Sequence, residues 1–245
     1  MTNDFEIQLV IARFNEDLRW VRRVPSSIRV TVYNKGDDSK TAALQEALAG
    51  RVGVEVVALP NVGREAHSYL THLSHHYQSL AGVTVFCQGH PFDHAPDMHR
   101  HLKSLADHSN KETRQRPDHF LWFGFLDETD DQYGRRLFVP WNKNPEGKEL
   151  LTGTLHRHLF RKNGPEFFHF RGGAQFAVTR EAVHRRPQAF YKRGLRLSTA
   201  IPLAAHSYER LWDRLFGDPV IDPSTLGPDG VRYLKRIRRL EERSR

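Results

Sequence analysis

The chain has 245 residues, 38% apolar and 27% charged, which suits one large α/β domain with a real core. No apolar run approaches the roughly 20 residues that span a bilayer. The acidic opening MTNDFEIQLVIARF lacks a secretory pattern, so the cytoplasm is the expected compartment. The single Cys87 argues against a disulfide framework or a cysteine-rich zinc site. A formal charge of +8 points to acidic partners, but no zinc-finger, RNA-binding or basic-zipper pattern accompanies it, so nucleic acid is not expected.

In chain order, residues 6–14 (EIQLVIARF) have the brevity and flanks of a buried strand, and Leu18, Trp20 and Val21 suggest a short helix after it. Residues 28–33 predict a second strand. Residues 39–50 predict a helix capped by Ser39 and stopped by Gly50, and 54–59 a third strand. In the next helix Ala66, Tyr69, Leu70, Leu73, Tyr77 and Leu80 form an apolar stripe, and residues 82–87 follow as a fourth strand. Strand and helix alternating at these lengths predict an α/β fold with a mostly parallel, Rossmann-like sheet.

The later chain is less regular. A short helix is expected over 98–108, a polar loop over 109–118, and a hairpin with an acidic turn over 119–141. A Gly/Pro/Asn-rich stretch then leads to a helix over 149–160. Residues 167–180 look like a strand, a glycine turn and a return strand. Helices are expected at 180–193, 205–216 and 229–243.

Three places carry candidate chemistry. The turn Asn61-Val62-Gly63-Arg64-Glu65 follows the third strand and opens a helix. Gly63 can permit close backbone approach, Asn61 can cap the helix, and Arg64 can hold a phosphate at the positive helix end. A well-capped helix with a surface Arg–Glu pair is the alternative. After the fourth strand, Gln88, His90, Asp93 and His94 cluster in a loop shaped by Gly89 and Pro91. The last three are candidate ligands for a divalent ion such as Mn2+ or Mg2+, or contacts for a diphosphate. Later, Gly173 and Gln175 lie in a small-residue segment that lets backbone and ligand approach. Glu209, near the expected start of a buried helix, is placed to be a general base. His72 and His76 read as a solvated helix face and Asp127–Asp131 as a solvated turn. The dinucleotide fingerprint and the P-loop are absent.

Taken together, Asn61, Gly63-Arg64-Glu65-Ala66, Tyr69-Leu70, Val85-Phe86, Ala174-Gln175-Phe176-Ala177-Val178, Arg180-Glu181, Glu209, Leu211-Trp212 and Phe216-Gly217 resemble a fungal and bacterial family known only as a domain of unknown function. A looser resemblance is to GT-A-type glycosyltransferases. Asn15-Glu16, Asn61-Val62-Gly63, Gln88–Asp93, Gly172–Phe176 and Glu209 occupy, in order, the places of that fold's functional segments. The loop after the fourth strand lacks that fold's Asp-x-Asp pair.

This second resemblance implies one GT-A-like domain over 1–228. Separately, Val231, Leu234, Ile237 and Leu240 recur at three-residue steps among basic residues and predict a basic amphipathic helix over 229–245, which either lies on an anionic membrane or packs on the domain with its charges in water. The GT-A resemblance also implies transfer of a sugar from a nucleotide sugar to a glycan or lipid-linked acceptor. Arg13, Asn15, Asn34 and Lys35 would frame the nucleotide, with Asn61, Gly63, Arg64, Gln88, Gly173 and Gln175 around the donor and Glu209 as base. A metal-dependent phosphoester hydrolase and a non-catalytic carbohydrate- or lipid-binding protein are the alternatives the sequence leaves open.

Overall fold

The computed structural model describes residues 6–107, 118–135 and 148–235. Its first half alternates as the sequence predicts: β1 (Ile7–Arg13), β2 (Ile28–Asn34), α1 (Asp38–Leu48), β3 (Val54–Ala58), α2 (Arg64–His75), β4 (Val83–Gln88) and α3 (Met98–Ala106). A 3-10 turn over Arg19–Arg23 fills the expected short helix. α1 begins at Asp38, so Ser39 lies inside it rather than at its cap.

The second half contains β5 (Phe120–Trp122), β6 (Leu126–Asp131), α4 (Thr152–Phe160), β7 (Phe167–Arg171), β8 (Phe176–Thr179), α5 (Arg180–His184), α6 (Gln188–Ala200), α7 (Ala204–Glu209), α8 (Trp212–Phe216) and β9 (Val231–Tyr233). The main sheet has the order β3-β2-β1-β4-β8-β5, and a small antiparallel sheet has the order β7-β6-β9. β1 to β4 are mutually parallel, and β8 runs antiparallel to both β4 and β5. This is the expected mixed α/β fold with a mostly parallel sheet.

β1 is central and buried along its whole length, because both of its faces are covered. Alternation divides its side chains: Val10 and Ala12 join a core with α2, α6, α7 and α8, while Leu9 and Ile11 join one with α1 and α3. The α2 stripe behaves as its spacing predicts, with Ala66, Tyr69, Leu70 and Leu73 all fully buried.

Further expectations are corrected. No hairpin links β5 and β6: β5 pairs with β8 in the main sheet, and β6 pairs with β7 and β9 in the small one. β7 and β8 likewise leave their glycine turn for different sheets. The two crossings lie side by side, since a Cβ on Gly124 would stand 3.3 Å from the Gly172 carbonyl. The acidic run 127–131 is a strand rather than a solvated turn. Asp127 and Asp130 are fully buried, the first paired to Arg171 at 2.6 Å and Arg232 at 2.7 Å, the second to Arg210 at 2.7 Å. His72 is buried too, 3.2 Å from the Tyr33 hydroxyl and stacked on His76.

The expected helix from residue 229 is, over Val231–Tyr233, a strand of the small sheet instead. Residues 236–245, most of the 109–118 loop and the end of the expected hairpin lie outside the described residues.

Candidate functional site

In the strand order 3-2-1-4 the chain first builds away from β1 on one side and then returns to its other side. The carboxyl ends of β1 and β4 therefore flank a topological switch point, where open α/β sheets hold ligands. A cleft of about 510 Å³ lies there. Its walls include Arg13 from the end of β1, Lys35 just beyond β2, Asn61 and Arg64 at the mouth of α2, and Gln88, His90 and Asp93 at the end of β4. Seven of the residues expected from sequence thus share one concave surface.

Backbone strain shapes this surface. Gly63 (φ 61°) and Arg64 (φ 48°) are consecutive left-handed residues at the start of α2. Left-handed backbone costs a non-glycine residue about 1–2 kcal/mol, so Arg64 is held there by its surroundings. Part of that hold is Lys35, whose Nζ donates to the carbonyls of Val62 and Arg64. Burial pulls the Lys35 ammonium down to about 8, with Glu65 opposing the shift. The Arg64 side chain is 65% exposed and only 3.6 Å from Glu65. Arg13 is buried and already committed: Nη1 donates to the Asn34 side chain at 2.7 Å and Nε to the Glu16 carbonyl at 2.9 Å. Arg64 is therefore the cation of this wall most available to an anion, while Lys35, buried and donating to two carbonyls, holds the turn and adds its charge from behind it.

Other expected residues stand behind the wall. Asn34 is fully buried, accepting from Arg13 and donating to Thr41 at 2.6 Å, so it positions the β1 and β2 ends. Asn15 is exposed and accepts from Lys40 at 3.4 Å. Gln175 is buried and donates to the Pro91 carbonyl at 3.1 Å, anchoring the loop that carries His90 and Asp93. Gly173 is required by a close approach: at φ 107° its Cβ would stand 2.4 Å from that of His94.

Glu209 is the last residue of α7, not near the start of a long helix, because the predicted helix breaks at Arg210 and Leu211. A carboxylate at a helix C-terminus gains nothing from the helix dipole. Its compensation is the Gly173 N–H, which donates to Oε1 at 2.5 Å, with Arg210 Nη1 at 3.7 Å from Oε2. Glu209 does not line the cleft. It adjoins the cleft electrostatically, since its charge acts on the buried carboxyl of Glu65, which does line it.

Four more residues belong to this region, of which Glu16, Glu65 and Glu128 stand in segments the sequence singles out without giving them a role. Glu16 lines the cleft, and its carboxylate accepts the Phe14 N–H at 2.7 Å and lies against Gly89. Glu65 lines it as well, its carboxyl raised by burial and lowered by Arg64. Glu128 stands across from Gly172, where an added Cβ would meet its Oε2 at 2.8 Å; burial, reinforced by Glu209, pushes its carboxyl up to about 8. The imidazole of His206 is lowered by burial, with Glu209 opposing and Arg64 adding to the effect. Only the tertiary fold brings these groups together, so no local motif signals their grouping.

A divalent ion fits the donor set poorly. His90 Nε2 and Asp93 Oδ1 lie 3.9 Å apart, but among the described residues no three His, Cys, Asp or Glu side chains are grouped to hold a metal. His94 is exposed against Gly173.

Fold and cleft define a mixed α/β protein with a cation-bearing crevice at the switch point of its sheet. The chain belongs to the family described as "Protein of unknown function (DUF3431)", whose model matches residues 9–225. No curated protein matches it significantly. Among solved structures it is similar to the mannosyltransferase PcManGT from Pyrobaculum calidifontis, in complex with GDP-Man and Mn2+. That match has 14% identity and a TM-score of 0.36, and covers 75% of this chain and 48% of that one. It is also similar to residues 1–349 of TarS from S. aureus, at 12% identity and a TM-score of 0.33, covering 78% and 55%. The chain spans about half the length of these structures, and at such scores the likeness carries no argument about chemistry.

Proposed function

We propose that the chain transfers a sugar from a nucleotide-activated donor to a hydroxyl of a glycan or lipid-linked acceptor. The observation that carries the reading is the pairing of Lys35 with the strained Gly63-Arg64 turn at one end of the switch-point cleft. The exposed Arg64 guanidinium and a helix N-terminus, with the Lys35 charge held behind the turn, favour a diphosphate there.

In the proposed step, Glu209 takes the proton of the acceptor hydroxyl as its oxygen attacks the anomeric carbon. The bond from that carbon to the diphosphate oxygen breaks, and the electron pair leaves with the nucleoside diphosphate. Lys35 and Arg64 stabilise the charge that develops on it. In-line attack inverts the anomeric centre. Glu128 holds its proton at neutral pH and is available as a hydrogen-bond donor to a sugar hydroxyl. The divergent environments of Glu128 and Glu209 suit such different roles. No step is routed through Mn2+ or Mg2+.

The test is release of nucleoside diphosphate from a panel of nucleotide sugars, with and without added acceptor glycans. Acceptor-dependent release that Glu209→Gln abolishes supports transfer. Release of inorganic phosphate from simple phosphoesters, with no sugar transfer, would favour a hydrolase.

A further inference from the structure

The positive charge of this protein is not spread evenly. Residues 150–165 and 182–208 contain no Asp or Glu. The first stretch carries Arg157, Arg161 and Lys162, and the second Arg185, Arg186, Lys192, Arg193 and Arg196. Their formal charge equals the +8 of the whole chain.

The fold brings the two stretches together. α4 and α6 pack on one another, and Arg193 locks them by donating from Nε and Nη2 to the Leu159 carbonyl, at 3.2 and 2.7 Å. Arg186 lies over the rings of Phe160 and Phe190. Arg157, Arg161, Lys162, Lys192 and Arg196 are exposed. Burial lowers the Arg193 guanidinium, and the neighbouring charges of Arg161 and Arg196 lower it further. Such self-repulsion works against the compact state and is relieved when an anionic surface covers the face.

The layer ends beside the cleft. The Ser198 carbonyl of α6 is 2.9 Å from where a Cβ on Gly63 would stand. Just past the end of α6, Pro202 is exposed and Leu203, 36% exposed, presents an apolar side chain on left-handed backbone. An apolar tip at the end of a basic face matches a lipid surface better than a soluble polyanion. The tip can enter the acyl boundary while the Lys and Arg heads meet lipid phosphates.

We propose that the α4–α6 face is a membrane-docking surface for anionic phospholipid bilayers, which turns the mouth of the switch-point cleft toward the lipid. This goes beyond the transfer reading and does not depend on it.

The test is co-sedimentation of the full chain, at low salt, with vesicles of phosphatidylglycerol and phosphatidylcholine and with vesicles of phosphatidylcholine alone. Binding to the anionic vesicles only is expected. The combined variant Lys162→Gln, Lys192→Gln, Arg196→Gln should bind them on the order of 100-fold more weakly, from about 1 kcal/mol per near-surface basic group. Leu203→Asn, which tolerates the left-handed backbone, should weaken binding about tenfold. Thermal melts establish that each variant folds. A matched control, Arg236→Gln, Arg238→Gln, Arg239→Gln, should lose less than the helical variant. Indifference to anionic vesicles overturns the proposal, as does a greater loss in the control. Binding of inorganic polyphosphate with no vesicle binding would overturn it in favour of a soluble polyanion.

Discussion

Oε1 of Glu209 accepts the backbone N–H of Gly173 at 2.5 Å, joining the end of α7 to the turn where the chain passes between its two sheets. A glutamine keeps an oxygen for that N–H but cannot take a proton from an acceptor. Glu209→Gln should therefore fold with near-wild-type melting behaviour and lose about 10²–10⁴-fold in transfer rate. Turnover close to wild type would remove Glu209 from the proposed step.

Arg64 combines strain with its proposed phosphate contact, which makes opposite effects separable. Arg64→Gly should stabilise the fold by about 1 kcal/mol, because glycine adopts φ 48° without the left-handed penalty. The same variant should weaken nucleoside diphosphate binding by about 1.5–3 kcal/mol and leave nucleoside binding nearly unchanged. Denaturant melts and calorimetry measure the two effects. Equal losses for both ligands would make Arg64 purely structural.

Lys35 should impose a pH limit on binding. With its ammonium lowered to about 8, the group is charged at neutral pH and loses its proton as pH rises through that value. Nucleoside diphosphate affinity is thus expected to be flat near pH 7 and to fall above pH 8, with proton uptake on binding near the midpoint. Titrations in buffers of different ionisation enthalpy detect that uptake. A Lys35→Met variant should lose both the affinity and the pH dependence.

Glu128 should destabilise the fold as pH rises. Its carboxyl is raised from 4.5 to about 8, so the folded state binds a proton more tightly than the unfolded chain. The resulting stability is fully present below about pH 4.5 and is lost as pH rises through 8. By linkage the loss at pH 7 is about 3 kcal/mol. Glu128→Gln should be more stable than wild type at pH 8 and close to it at pH 4. A constant difference across that range would mean that Glu128 does not hold its proton.

The parts of this molecule legible in the sequence are those set by local pattern. The strands around β1 and the α2 stripe follow from periodicity, and the motif order from Asn61 to Gly217 is enough to place the family. Asn61, Arg64, Gln88, His90 and Asp93 are legible as cleft residues because each lies at or just beyond the carboxyl end of a parallel strand. Asp127, Glu128 and Asp130 are not. An acidic run looks solvated until its partners are known, and Arg171, Arg210 and Arg232 lie about 40 to 105 residues further along the chain. His72 misled for a related reason: its buried partner, Tyr33, belongs to another element. The sheet switch at Gly124 and Gly172–Gly173 likewise reads locally as hairpin turns.

The proposed function requires the switch-point cleft to bind a nucleotide-activated sugar through its diphosphate. Thermal unfolding of the full chain with nucleosides, nucleoside diphosphates and nucleotide sugars, each with and without Mn2+, measures that binding. A matching nucleotide sugar at 100 times its Kd should add about 2.7 kcal/mol of stability. The nucleoside alone should add little, and the Arg64→Gly and Lys35→Met variants should lose most of the shift. Equal stabilisation by nucleoside and nucleotide sugar, or no shift with any of these ligands, would contradict it.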